Sequence, residues 1–179
     1  MSCHRLMGAI AAIALLVPAA SNAQQFTYSI EDRPQFSLEI PEGWTLQVRP
    51  SSDPRRPRLV ALAPADDVWV GAWALEKVES FEQAKSYVSE FLEGLIGSAE
   101  ATQDWKDETY NGMPVRHMAG KGTEITEEGE GEAVEFKVAF FEFGPGRVGV
   151  VLVIGSSAAS ASHEAALDAL ISSLRPVAS

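Results

Sequence analysis

The sequence predicts an α+β protein with an antiparallel sheet flanked by helices, an αβα sandwich. Two observations predict this class. Apolar and polar residues alternate in many short runs, while only two segments have the apolar period of about 3.6 residues that is typical of a helix. Short turn sequences join most of the runs, whereas parallel strands need long crossovers, so we expect mainly antiparallel pairing.

Residues 1–23 have the pattern of a secretory signal peptide. Arg5 precedes an apolar run, and small residues lead up to Ala23. The run is shorter than the roughly 20 residues that a membrane-spanning helix needs, although a retained anchor is the alternative. We expect a bacterial protein that is periplasmic or secreted, with one mature domain over residues 24–179 and no transmembrane segment in it.

The composition of the chain argues against several kinds of site and partner for the mature domain. The one cysteine, Cys3, lies in the segment that we expect to be removed, so neither a disulfide nor a thiolate metal site is expected. The formal net charge of the chain is −11. Because phosphate backbones repel a protein this acidic, the sequence argues against a nucleic-acid partner.

A hairpin is predicted near the start of the mature domain. Residues 35–40 and 44–49 both alternate, and a Pro-Glu-Gly loop between them suits a type I turn with Gly43 in the left-handed conformation. This loop length places Ile40 opposite Trp44, so we expect Trp44 in the core and not at a ligand site. The other expected pairs on the same buried face are Leu38 with Leu46 and Phe36 with Val48.

The clearest helix of the chain follows three further strands. Those strands are predicted over residues 26–30, 58–63 and 68–75. Ser80 is a good N-cap, Gln83 completes a capping box, and apolar residues recur at helical spacing over residues 81–96. We expect Gly97 to end this helix.

The second half of the chain returns to strands. Asn111 and Gly112 form the dipeptide most favoured in tight hairpins, and they follow a predicted strand around Trp105. Residues 147–154 are nearly all apolar, which predicts a strand in the middle of the sheet. The remaining predictions are strands over residues 113–125 and 133–143, and a helix from residue 161 or 163 to residue 174, capped by Ser160 or Ser162.

Three patterns that resemble functional motifs have structural explanations. Residues 144–149 fit G-x-G-x-x-G, but the strand-like sequence after them favours a hairpin turn over a dinucleotide site. The Gly-Ser-Ser sequence at residues 155–157 is interpreted as a loop and helix cap. His117 and His163 lack a second ligand at metal-binding spacing. The sequence therefore predicts no catalytic, cofactor-binding or metal-binding residues.

Residues 124–132 form an acidic stretch, for which calcium binding is one interpretation. Its carboxylates do not follow the spacing of a calcium loop, so a solvated hairpin tip is favoured, and calcium binding over residues 127–132 is left open. The residues concerned are Glu124, Glu127, Glu128, Glu130 and Glu132.

Two features are candidates for partner binding. Arg55, Arg56 and Arg58 stand among prolines in a basic stretch, where they would present guanidinium groups to carboxylates of a partner; a solvated loop is the alternative. Trp69 and Trp73 share one face of a predicted strand and flank a glycine, so they form either a shallow groove or part of the core.

Two segments of the chain resemble the PsbP-like superfamily, which includes the photosystem PsbP subunit and bacterial DcrB-like domains. They are FSLEIPEGW near the start, and RVGVVLVIG with a helix ending in ISSLRP near the end. The resemblance covers most of the mature chain, and its motifs mark structure and not chemistry. It implies an antiparallel sheet with helices on its faces, and members that mostly act by binding, as assembly factors, extrinsic subunits or secretion chaperones.

Two functions fit these observations. The first is an exported, non-enzymatic binding or accessory protein that acts through protein–protein contacts, with another exported or membrane-associated protein as its partner. The alternative is a small ligand-binding protein or hydrolase whose site is assembled from residues distant in the sequence.

Overall fold

The computed structural model describes residues 23–49, 58–127 and 129–177. These residues form the strands β1 (Gln24–Ile30), β2 (Arg33–Ile40), β3 (Thr45–Arg49), β4 (Arg58–Leu62) and β5 (Val68–Ala74), the helix α1 (Phe81–Glu93), the strands β6 (Ile96–Tyr110), β7 (Met113–Thr126), β8 (Gly129–Gly144) and β9 (Arg147–Gly155), the helix α2 (Ser157–Ser172) and the strand β10 (Arg175–Pro176). The predicted signal peptide, apart from Ala23, lies outside the described residues. Within the described ranges, neither helix is long and apolar enough to cross a membrane.

Seven strands form the larger sheet, in the order β3-β4-β5-β9-β8-β7-β6. Every neighbouring pair is antiparallel. The apolar strand β9 lies in the middle, between β5 and β8, as its sequence predicts. Asn111 and Gly112 join β6 to β7, with φ of +51° and +80° respectively, which confirms the predicted tight turn.

The hairpin predicted on either side of Pro41 is wrong. β2 pairs with β1 and β10 in a separate three-stranded sheet, whereas β3 pairs with β4 in the larger sheet. The Pro-Glu-Gly sequence still makes a turn, because the Trp44 N–H donates to the Pro41 carbonyl at 3.3 Å and Gly43 has φ +79°. This turn carries the chain from one sheet to the other.

The first helix begins as predicted and ends earlier. The Ser80 side chain accepts a hydrogen bond from the Gln83 N–H, and the Gln83 side chain accepts one from the Glu79 N–H at 2.7 Å. The predicted end at Gly97 is wrong, because Gly94 is the C-cap and β6 has already begun by Gly97. The apolar pattern runs on past the helix because it continues into the strand.

The second helix begins earlier than predicted. Ser156 is its N-cap and accepts a hydrogen bond from the Ala159 N–H at 3.2 Å, so the caps expected at Ser160 or Ser162 are wrong. The interpretation of the Gly-Ser-Ser sequence as a helix cap is confirmed. The helix ends at Ser172, before β10.

Each face of the larger sheet is covered by a helix. Phe140 and Phe141 are adjacent on β8, so they point to opposite faces. Phe140 meets Phe81 of α1, with 6.4 Å between ring centroids, and Phe141 meets Phe36 of β2 at 4.7 Å. α2 contacts both β2 and β8, so it shares the second face with the smaller sheet. The predicted α+β class, with helices flanking an antiparallel sheet, is confirmed.

Candidate functional site

β3 is one edge of the larger sheet and leads into the basic stretch of the sequence. It pairs with β4 residue by residue from Thr45 opposite Leu62 to Arg49 opposite Arg58, without a register shift. Its outer side pairs with no strand of the described chain. The Val48 side chain is 55% exposed, although the predicted hairpin placed it in the core. β3 is therefore a regular, exposed sheet edge.

β6, at the opposite edge, is much less regular. Its pairing with β7 shifts between Gly97 and Glu100, between Ala101 and Gln103, and again before Lys106. Register shifts twist an edge strand and interrupt its ladder of backbone groups, which discourages a further strand from pairing there. Of the two edges, β3 offers the better template for an added strand.

Of the three candidate arginines, the structure describes Arg58. The Arg58 guanidinium lies 5.2 Å from the Trp73 ring centroid and 5.1 Å from that of Phe91, so it stacks between an aromatic residue of β5 and one of α1. This contact gives Arg58 a packing role. Arg55 and Arg56 lie outside the described residues.

The two candidate tryptophans also differ. Trp73 is 4% exposed and packs edge-on against Phe91 at 5.5 Å, which agrees with the core alternative. Trp69 is half-buried, and its ring lies over Gly71 on the same strand. Partner binding by Arg55, Arg56, Arg58, Trp69 and Trp73 stays a prediction.

A polar cleft lies between α2 and the strands β6, β7 and β8, and the sequence did not predict it. Its volume is about 430 Å³. Its polar lining comprises Gln103, Glu108, Tyr110, His117, Lys137, Glu164, Asp168 and Ser172. Its apolar lining comprises Met118, Ala119, Val138, Ala169 and Ile171. A cleft with an apolar surface and a few convergent polar groups is the usual form of a small-molecule site.

The β6–β7 hairpin supplies three of these polar groups. The Tyr110 hydroxyl donates to the Glu108 carboxylate, and Nε2 of His117 lies 3.3 Å from the same carboxylate. The Tyr110 hydroxyl, and after it His117, hold the pKa of Glu108 below its ordinary value of 4.5. Burial, and after it the bond to Glu108, raise the pKa of Tyr110 to about 12. At neutral pH the group therefore holds a carboxylate and a protonated phenol.

The opposite wall of the cleft is α2. Nζ of Lys137 on β8 lies 3.5 Å from the Asp168 carboxylate, so an ion pair spans the cleft. The Asn111 side chain donates to the carbonyls of Ser172 and Leu174, both at 2.9 Å, and fixes the end of α2 against the hairpin. The cleft is held by contacts from both walls.

The other histidine and the acidic tip do not join this cleft. His163 on α2 lies 3.5 Å from Asp67, and its ring meets Trp44 edge-on at 5.4 Å. Trp44 is half-buried, and Glu128 of the acidic tip lies outside the described residues. The described part of the chain holds no group of three or more carboxylate, histidine or cysteine side chains that could bind a metal ion. Calcium binding at the tip stays an open question.

On the other face of the sheet, the same hairpin is tied to α1. Arg116 donates to both carboxylate oxygens of Asp107, at 2.6 and 2.9 Å, and to Glu82 of α1 at 2.7 Å. Its guanidinium also lies 5.5 Å from the Phe81 ring centroid. We interpret this network as structural, because it fixes the start of α1 on the sheet.

Two sheets, with a helix on each face of the larger one, define a PsbP-like α+β fold. The solution structure of cyanobacterial PsbP (CyanoP) from Synechocystis sp. PCC 6803 matches this chain with a TM-score of 0.58, over 96% of this chain and 99% of that one. The two sequences are 11% identical, so the likeness shows the fold alone.

Two further solved structures are similar at lower TM-scores. The Pseudomonas aeruginosa protein PA94, of unknown function, has a TM-score of 0.49 at 17% identity, over 87% of this chain and 99% of its own. LpqN, involved in cell envelope biogenesis of Mycobacterium tuberculosis, has a TM-score of 0.47 at 13% identity, over 86% of this chain and 91% of its own. No protein-family model matches the sequence, and no curated protein matches it.

Proposed function

We propose that this chain is an exported, non-enzymatic accessory protein that binds an extended acidic segment of a partner protein along β3. The observation that carries the proposal is the regular, exposed edge of β3, which the basic stretch follows in the sequence. Export is supported by the sequence of residues 1–23. The partner is expected to be another exported or membrane-associated protein.

In binding by strand addition, the β3 edge and the positive charge of the arginines make different contributions. An added strand gains backbone hydrogen bonds from β3, and these are independent of the sequence of the partner. Carboxylates of the partner then pair with Arg49, Arg55 and Arg56, which stand out in a chain of net charge −11. The edge would supply affinity and the arginines would supply selectivity.

Site-specific photo-crosslinking in the producing cell tests this proposal. A photoreactive amino acid at Val48 on β3 is compared with one at Asp104 on β6; both side chains are exposed. We expect a discrete protein adduct from Val48 and none from Asp104. Equal adducts from the two edges, or none from Val48, would contradict strand addition.

A charge variant tests the contribution of the arginines. The variant with Arg49→Ser, Arg55→Ser and Arg56→Ser should lose the Val48 adduct, while Arg58 is retained because it packs on Trp73. The matched control removes three positive charges elsewhere, by Lys77→Ser, Lys106→Ser and Lys121→Ser. If both variants lose the adduct equally, net charge and not the β3 edge is responsible.

The alternative function, ligand binding at a site assembled from distant residues, is favoured by one observation. Strands β6 to β8 and helix α2, which are far apart in the sequence, meet at the polar cleft. This cleft lies away from β3, at the opposite end of the sheet order. Both surfaces can therefore operate in one molecule.

A further inference from the structure

We infer that the polar cleft between α2 and strands β6 to β8 binds an aliphatic diamine, a molecule with an ammonium group at each end of a methylene chain. The inference does not depend on strand addition at β3, because it concerns different residues at the other end of the sheet. Its basis is the charge of the cleft, the separate elements that carry its carboxylates, and its apolar surface.

The cleft carries a net negative charge. Among the lining residues are three carboxylates, those of Glu108, Glu164 and Asp168, and one ammonium, that of Lys137; Lys106 acts on Glu108 from outside the lining. The formal charges of these four lining side chains sum to −2. The lowered pKa of Glu108 keeps its carboxylate charged at neutral pH. A cleft with an excess of one sign of charge concentrates ligands of the opposite sign, and an excess of two negative charges matches a dication.

The placement of these carboxylates on two separate elements favours an extended dication over a metal ion. Metal ions of charge two need three or more ligand atoms at about 2.0 to 2.6 Å from one centre. In the described residues no such group occurs, and the carboxylates of the cleft come from separate elements, β6 and α2. An organic dication can place its two charges at separate carboxylates.

The apolar lining suits the methylene chain between the two charges. Ala119 of β7 and Ala169 and Ile171 of α2 belong to this lining. Aliphatic stems with charged ends bury their methylene groups along such surfaces while the charged ends keep polar partners. An inorganic cation gains nothing from this lining, whereas a diamine does.

His117 adds a hydrogen-bonding atom at the Glu108 end. Its Nε2 is buried and makes no hydrogen bond of good geometry within the described chain, although the Glu108 carboxylate lies 3.3 Å away. When an ammonium group occupies this end of the cleft and His117 carries its proton on Nδ1, Nε2 can accept a hydrogen bond from that group. An ammonium group carries three donors, so it can bond both atoms.

Binding can be measured by NMR titration of the purified, isotope-labelled protein with 1,5-diaminopentane. We expect a Kd on the order of 1 mM, with shifts concentrated at the residues of the cleft. 1-Aminopentane should bind more weakly, and pentane-1,5-diol and glutarate should leave these signals unmoved. Equal shifts with the diol would overturn the inference, as would Mg²⁺ competing as well as the diamine at matched ionic strength.

Substitutions of single residues test which groups of the cleft bind the diamine. Glu108→Gln and Glu164→Gln should each weaken diamine binding by about three- to fivefold, the range expected for exposed charge pairs. Lys137→Met removes the competing ammonium and should strengthen binding by about two- to threefold. Glu90→Gln on α1, an exposed residue, makes the same charge change away from the cleft and should have no effect. An equal loss in Glu90→Gln would mean that net charge alone attracts the amine, which would contradict a site in the cleft.

Discussion

Arg116 and His117 are adjacent on β7, and their side chains contact two acidic residues that are themselves adjacent on β6. Arg116 bonds Asp107 on the face that α1 covers, and His117 approaches Glu108 on the face that α2 covers. Successive residues of a strand point to opposite faces, so one hairpin supplies both contacts. Its two faces consequently differ in role, with a structural network on one and the polar cleft on the other.

The first prediction concerns acid stability. Asp107→Asn should lower the free energy of unfolding at pH 7, because the hydrogen bonds from Arg116 hold the pKa of Asp107 below its ordinary value of 3.8. A lowered folded-state pKa stabilises the protein above the unfolded value, and that stability is lost as the pH falls through the folded value. The difference from the wild type should therefore vanish in strong acid. Urea unfolding at pH 7 and pH 2 measures it, with Asp104→Asn as the control, and a difference independent of pH would contradict the prediction.

The second prediction concerns alkaline pH. The folded-state pKa of Tyr110 is raised to about 12 from 10.0, so its hydroxyl contributes stability that is complete below pH 10 and is lost as the pH rises toward 12. Ring-carbon NMR of Tyr110 should show ionisation near pH 12. Glu108→Gln should move the midpoint to lower pH, because it removes the second cause of the shift. An unchanged midpoint in Glu108→Gln would show that Glu108 has no part in it.

The third prediction compares two aromatic residues that the sequence placed on one face. Phe36 is 0% exposed and stacks on Tyr28 at 4.6 Å, so Phe36→Ala should cost about 3–5 kcal/mol of unfolding free energy. Trp44 is half-buried against His163, so Trp44→Ala should cost only about 1–2 kcal/mol. Urea unfolding of the two variants gives both values. Equal costs would mean that Trp44 is a full member of the core.

The fourth prediction concerns a glycine that an aromatic ring covers. Gly149 of β9 pairs directly with Phe141 of β8, and a Cβ atom at Gly149 would meet the Phe141 ring. Gly149→Ala should therefore destabilise the protein by about 1–3 kcal/mol through overpacking. Gly144→Ala is the control, because a Cβ there meets no atom closer than 3.4 Å. Equal stability of the two variants would contradict close packing of the Phe141 ring on Gly149.

Local signals in the sequence predicted the elements whose partners are close along the chain. The Asn111-Gly112 turn fixed the β6–β7 hairpin, and the Ser80 cap fixed the start of α1. The supposed hairpin around Pro41 failed because alternation shows which residues share a face and not which strand lies alongside. Strands in two different sheets satisfy the same pattern.

The cleft could be predicted in part. Counting back from the Asn111-Gly112 turn puts Tyr110 and Glu108 on the same face as His117, since Tyr110 pairs with Met113 and Lys106 pairs with His117. The opposite wall could not be placed, because four serines between residues 156 and 162 are all plausible caps for α2. The packing of α2 across the sheet is a long-range contact that no local pattern encodes.

The position of β2 has a consequence for the order of folding. β2 lies between β1 and β10, so the smaller sheet joins Phe36 to Pro176. During translation, β2 cannot pair with β10 until nearly the whole chain has left the ribosome. A nascent chain that is stalled before Arg175 should therefore remain sensitive to protease around β2, and chaperones have that interval in which to hold it.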